Sequence, residues 1–133
     1  MKPCVLYVSH TGNTKRLAEA LAEMLQAPLF DATSATASDV EPFDLLVVGT
    51  PVMGLKPAPE LLAFVNTLPM VERRKTVLFS TYAFAQGGAL KFLEQKLGLK
   101  GYRTVLSVGK RGVKPGKADF QDVLDKVSRA VKA

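Results

Sequence analysis

The chain has one cysteine, one histidine and no tryptophan among its 133 residues. A lone Cys4 cannot close an internal disulfide and fits a reducing compartment. It stands inside the apolar run CVLYV, which marks it as a buried structural thiol. With His10 as the single histidine, a multi-histidine metal centre is excluded. Long apolar runs are also missing. Stretches such as LLVVG and CVLYV fall far below the ~20 residues of a membrane-spanning helix. Met1 and Lys2 run directly into the first apolar stretch without a leader pattern, so a cytoplasmic location is expected. Acidic residues are unevenly scarce: none occurs between Gln95 and Ala118.

What is present describes a globular protein. Hydrophobic residues make up 47% and charged residues 23%, unlike a disordered chain. The length suits one domain over 1–133, large enough to bury a core. Charge divides sharply along it. Residues 1–66 carry four Lys/Arg and seven Asp/Glu, a net of −3, whereas residues 67–133 carry fourteen and five, a net of +9. Such an asymmetry points to an anionic partner; the alternative is a solvated lysine-rich surface.

Five short apolar runs read as strands: CVLYV (4–8), PLFD (28–31), DLLVVG (44–49), TVLFS (76–80) and TVLSV (104–108). Most are continuous rather than alternating, the pattern of strands covered on both faces. Helical spacing fills the intervals. Leu17, Leu21, Met24 and Leu25 form one stripe ended by Pro28, and PAPELLAFVNTL starts on prolines that suit a helix N-terminus. Leu90, Leu93 and Leu97 repeat the spacing before a Gly, as do Phe120, Val123, Leu124 and Val127. ATSATASDVEPF holds at most a short helical turn. Alternation of this kind predicts an α/β fold, a doubly wound five-stranded parallel sheet in the order 2-1-3-4-5. Ligands of such sheets sit at the carboxyl ends of the strands, where the order reverses.

Three loops fall on that edge. Ser9, His10, Thr11, Gly12, Asn13 and Thr14 precede a helix whose unpaired N–H groups and dipole suit a phosphate. Helix capping by Thr11 or Asn13 is the alternative. Lys15 and Arg16 in the first turn oppose the dipole unless an anion is bound. The Gly-x-x-x-x-Gly-Lys of nucleoside-triphosphate binders is absent, which argues against ATP. The second loop, GTPVMGLKPAP (49–59), places Met53 beside the permissive Gly54; the third, STYAFAQGGA (80–89), holds Tyr82 and Phe84. A methionine facing an aromatic across a crevice makes a slot for a flat ring. Either aromatic, taken singly, is more often a core residue than a cofactor contact; beside a phosphate loop the balance reverses.

The first loop resembles the FMN-phosphate signature of the flavodoxins, Ser/Thr-x-Thr-Gly-Asn-Thr. Val52-Met53-Gly54 is similar to the flavin-facing loop of short-chain, clostridial-type members, and Ser80 to Gly87 resembles their Gly-Ser-Tyr-Gly-Trp-Gly-x-Gly stretch. The resemblance spans the chain and implies a flavodoxin-like fold that binds FMN. Ser9, Thr11, Asn13 and Thr14 would hold phosphate, with His10 and Gly12 in the same loop. Met53 would cover one face of the ring and Phe84 the other. Gly54 would offer a peptide able to turn toward the flavin N5, and Tyr82 would frame the site. Thr50, Pro51, Val52, Thr81, Ala83 and Gly87 complete the two ring loops. Phe84 stands for the usual Trp, Ala83 and Ala85 for glycines, and Leu55 for a common acidic residue, departures that imply weaker FMN binding.

The resemblance implies a carrier of single electrons between redox partner proteins. Most flavodoxins are strongly acidic; here GKRGVKPGK (109–117) follows the last strand. A strand spacing of ~4.8 Å puts the start of that loop ~10–15 Å from the ring, close to the Debye length of ~10 Å at 0.1 M salt. A less negative potential for full reduction and an acidic docking surface on the partner are therefore expected. Two other readings stand beside this one: an FMN-dependent NAD(P)H/quinone reductase, and a flavin-free binding module using its basic half. The basic run lacks interleaved aromatics, so nucleic acid is not expected. Two families of similar topology fail on residues. A phospho-accepting receiver needs acidic residues where Ser9 and Thr50 stand, and a low-molecular-weight tyrosine phosphatase needs its Cys where His10 stands.

Overall fold

Five strands carry side chains whose bulk and β-branching fit a sheet buried on both faces. They are β1 (Pro3–Tyr7), β2 (Leu29–Asp31), β3 (Leu45–Met53), β5 (Arg74–Tyr82) and β6 (Tyr102–Arg111). A further strand of two residues, β4 (Lys56–Pro57), lies between β3 and β5 in sequence. The helices are α1 (Asn13–Leu25), α2 (Ala37–Val40), α3 (Pro59–Asn66), α4 (Ala89–Gly98) and α5 (Gln121–Lys132). The computed structural model describes residues 2–10, 12–83, 85–112 and 120–132.

The sheet runs β2-β1-β3-β5-β6 with every neighbour parallel. That is the expected 2-1-3-4-5 order once β4 is set aside. The correction concerns β4: the sequence predicts five strands and a loop over 49–59, but β3 continues to Met53 and turns back antiparallel onto Lys56–Pro57. α2 is the short turn expected in its segment.

Alternation along the strands builds two cores. Cys4, Leu6, Val8, Leu46, Val48 and Leu78 face α2, α3 and α4; Val5, Tyr7, Leu45, Val47, Val77 and Phe79 face α1 and α5. Leu17 and Leu21 of the α1 stripe are fully buried, while Met24 and Leu25 pack at its margin. Burial pushes the Cys4 thiol up to about 12, against a smaller opposing pull from Arg74, so the thiolate is suppressed. Gly49 is required by packing: the Phe79 ring occupies the space a β-carbon would take.

One irregularity bears on the carboxyl edge. Opposite Thr76 and Val77 stand Thr104 and Leu106, so Val105 is an extra residue in β6. Val105 and Leu106 consequently pack on the same core, and the alternation beyond them is reset. Lys110 thereby faces α5, where it meets Asp122, and Arg111 faces the loop after β5, where it meets Ala83.

Candidate functional site

The parallel strands bring the loops after β1, β3 and β5 to one edge. At the first, Gly12 caps α1 with φ +97°, a left-handed conformation that glycine adopts without strain. Nothing lies within 4 Å of the place where its β-carbon would be, which leaves the backbone open to a ligand. The Ser9 Oγ accepts the Gly12 N–H at 3.1 Å and bends the loop over the helix end. No side chain caps α1 among the described residues, and its first turn holds no carboxylate. The N–H groups and dipole of such a helix end would favour an anion. Thr11 lies outside the described residues.

Asn13 and Thr14 are buried, and both reach across to neighbouring strands. Asn13 Nδ2 donates to the Gly112 carbonyl at 3.0 Å, just past β6. The Thr14 and Thr81 hydroxyls lie 2.6 Å apart, joining α1 to the end of β5. His10 turns away from this cluster: its Nε2 lies 2.7 Å from the Glu60 carboxylate in the first turn of α3. The Glu60 carboxyl is held below its ordinary range, first by a bond to its own backbone N–H and then by His10.

The second loop is a tight hairpin. Gly54 and Leu55, with φ of +56° and +67°, join Met53 to its partner Lys56. A two-residue turn with both φ positive is the I′ geometry that matches strand twist. Thr50, fully buried, holds its base: its hydroxyl donates to the Pro51 carbonyl at 2.8 Å and accepts the Ala58 N–H at 2.9 Å. Pro51 is buried beside its register partner Thr81. Met53 and Leu55 are 42% and 53% exposed at the tip.

The third loop faces that hairpin. Leu55 packs on Gly87, where a β-carbon would stand 2.7 Å from that of Leu55, so only glycine fits. Between the loops lies a hollow of ≈ 230 Å³ lined by Val52, Gly54, Leu55, Tyr82, Ala83 and Ala85. Arg111 Nε donates to the Ala83 carbonyl at 2.9 Å and fixes the loop from β6. Phe84 lies outside the described residues.

The residues named from sequence that are described, all but Thr11 and Phe84, are thus gathered at one edge, with Thr50 as an internal clamp and His10 as a strap to α3. Sequence reasoning missed Leu55 and Ala85 as lining, and Glu60, Arg111 and Gly112 as anchors. GKRG offered a signal only as charge; the β6 bulge that aims Arg111 leaves no mark in composition.

This architecture defines a doubly wound α/β protein with its loops collected at the carboxyl edge, where such folds bind ligands. Residues 4–110 match the flavodoxin-domain family model, and the chain belongs to the flavodoxin family. It is 28% identical over 105 residues to an uncharacterized protein of Methanocaldococcus jannaschii, covering 77% of this chain and 69% of that protein. The oxidised flavodoxin 1 of Bacillus cereus superposes with a TM-score of 0.82 at 22% identity, covering 99% of this chain and 98% of that one. For the two-electron reduced flavodoxin of Megasphaera elsdenii the TM-score is 0.77 at 22% identity, over 97% and 99%.

Proposed function

We propose that this protein binds FMN at the carboxyl edge and carries electrons between redox partner proteins. The observation that supports this most is the tying of three loops at one edge, two of which line a common hollow. The α1 turn is tied to β5 through Thr14 and Thr81 and to the end of β6 through Asn13, while Leu55 bridges to Gly87. A ligand with a phosphate at one end and a flat ring at the other fits that arrangement. The open Gly12 and the acid-free α1 turn suit the phosphate, and the apolar hollow beside Tyr82 suits the ring.

Bound FMN supplies the capacity to take up and return electrons one at a time. The residues of this chain hold it and shape its surroundings. Ser9 keeps a hydroxyl proton to donate while its oxygen accepts from Gly12. Thr14 donates outward when Thr81 donates to it. Asn13 retains a second amide proton beyond the one given to Gly112. Met53 and Leu55 exclude water from the ring side of the hairpin. The Gly54–Leu55 peptide is a movable polar group: turning it over converts a I′ turn to II′, where only the first central residue keeps a positive φ. Gly54 accepts either state, and Leu55 is relieved by the change.

Arg111, exposed beside Ala83, and Lys15, exposed at α1, set fixed positive charge at this edge and favour an acidic partner surface. Lys110 contributes less because Asp122 lies 3.1 Å from it. The test is titration of flavin-stripped protein with FMN. Saturable one-to-one quenching of FMN fluorescence is expected; protein that leaves FMN fluorescence unchanged overturns the reading.

A further inference from the structure

A second group of cations from the basic half of the chain stands at the opposite, amino edge of the sheet, beside exposed apolar side chains. Met70, between α3 and β5, is 72% exposed, and Leu99, between α4 and β6, is 71% exposed. The Val71 N–H donates to the Lys100 carbonyl at 2.8 Å, so the two turns that carry these side chains are stitched together. Lys75 and Arg103 are register partners on β5 and β6, cations side by side on adjacent strands. Lys100 and Arg73 flank the turns. The Lys110–Asp122 contact fixes the start of α5 at the carboxyl edge. Its helical rise of ~1.5 Å per residue then returns Arg129 and Lys132 to the amino edge.

Among the described residues none of these six cations forms an ion pair; the pairs found there, His10–Glu60 and Lys110–Asp122, both lie at the other edge. Acidic residues also stand at this edge: Glu41 and Glu72 line a hollow with Met70 and Arg74, and Asp44 and Glu72 line one with Arg73, Arg74 and Lys75. Asp44 accepts the Lys2 N–H at 2.6 Å, and Arg74 is drawn to the Glu41 carbonyl at 3.0 Å, with Glu72 beside Arg73. The excess of positive charge therefore lies toward β6 and α5, at Lys100, Arg103, Arg129 and Lys132.

We propose that this edge is a docking surface for an anionic lipid membrane. A protein partner would be met by aromatic anchors set in a recess. Here Tyr102, the aromatic at the start of β6, is only 6% exposed, and the apolar groups are unbranched or γ-branched chains on turn tips. Shallow insertion of such tips within a ring of Lys and Arg is the interfacial mode of membrane binding. No helix among the described residues is long and apolar enough to cross a membrane, so the contact is peripheral. Docked this way, the carboxyl edge points away from the lipid and stays accessible.

The experiment is sedimentation of the full chain with vesicles of phosphatidylcholine alone or with one quarter phosphatidylserine. Binding to the anionic vesicles alone, weakened roughly tenfold between about 0.1 and 0.5 M salt, is expected. Met70→Ser with Leu99→Ser, and separately Lys100→Glu with Arg103→Glu, each reduce it at least several-fold. Lys91→Glu, on the first turn of α4 at the other edge, leaves it unchanged. The proposal is overturned by absence of binding, or by a loss on Lys91→Glu equal to that of the amino-edge charges. It is also overturned if binding survives Met70→Ser with Leu99→Ser and polyglutamate competes as well as lipid, the pattern of an acidic protein partner. Vesicle binding is read with and without FMN, so its outcome is separate from that of the flavin titration.

Discussion

The hydroxyls of Thr14 and Thr81 lie 2.6 Å apart with both residues at most 5% exposed, one in the first turn of α1 and the other near the end of β5. A buried hydroxyl left without its partner costs about 1–3 kcal/mol. Thr14→Val and Thr81→Val are therefore expected to lower the unfolding free energy by about that much each. The double variant loses less than the sum, because neither hydroxyl then remains unpaired. Urea denaturation of the four proteins closes the cycle. Thr14→Val additionally weakens FMN by more than Thr81→Val does, since only Thr14 stands in the helix turn assigned to the phosphate.

Leu55 is a γ-branched residue held at φ +67°, a conformation that costs an L-residue about 1–2 kcal/mol. Asn tolerates it, and the Leu55 side chain is about half exposed, so little burial is lost. Leu55→Asn is expected to stabilise the flavin-free protein by about 0.5–1 kcal/mol. Gly54→Ala is expected to destabilise it. Thermal melts without FMN decide both. A fall in stability for Leu55→Asn would mean that packing on Gly87 outweighs the backbone strain.

The same turn marks where the sequence stops being legible. Continuous apolar runs such as CVLYV and TVLFS betrayed the parallel strands because burial on both faces leaves no alternation to confuse with a helix. Gly54-Leu55 carries no such mark. A I′ hairpin is ordinarily announced by Asn-Gly or Asp-Gly, and here tertiary packing of Leu55 on Gly87 holds a residue that local preference disfavours. In the first loop, Gly12 and the buried Asn13 and Thr14 were readable from their pattern, but their partners were not. Gly112 and Thr81 lie 99 and 67 residues away, and His10 faces Glu60 across 50. Pairings at such separations are fixed by strand register, which composition does not encode.

The Glu60 carboxyl, lowered first by its own backbone N–H and then by His10, predicts a pH dependence of definite sign. Between the folded and unfolded values the unfolded chain binds more protons, so stability rises with pH. The contribution is present above the ordinary Glu value of 4.5 and lost as pH falls through the lower folded value. Asp122, lowered chiefly by its bond to Lys110, adds a term of the same sign below 3.8. Both groups are exposed and the effect is modest. Between about pH 5 and 3 the melting temperature of Glu60→Gln should fall less than that of the natural chain. Equal slopes would show that the bonds of the Glu60 carboxylate contribute nothing in solution.

Arg111 is fixed at the proposed flavin edge, because its Nε–H holds the Ala83 carbonyl at 2.9 Å. A unit positive charge at ~10–15 Å in the dielectric of water favours a negatively charged reduced ring by roughly 0.3 kcal/mol, about 10–15 mV for one electron. Arg111→Gln removes the charge and the fixed contact together, and its potential should move to more negative values. Arg111→Lys keeps the charge but not the planar Nε–H. It should hold the potential close to that of the natural chain while weakening FMN through a loosened Ala83 loop. Redox titration paired with FMN titration separates the two effects. If both substitutions shift the potential alike, the residue acts by positioning Ala83 rather than by its field, and the basic run after β6 loses its claim to tune the flavin.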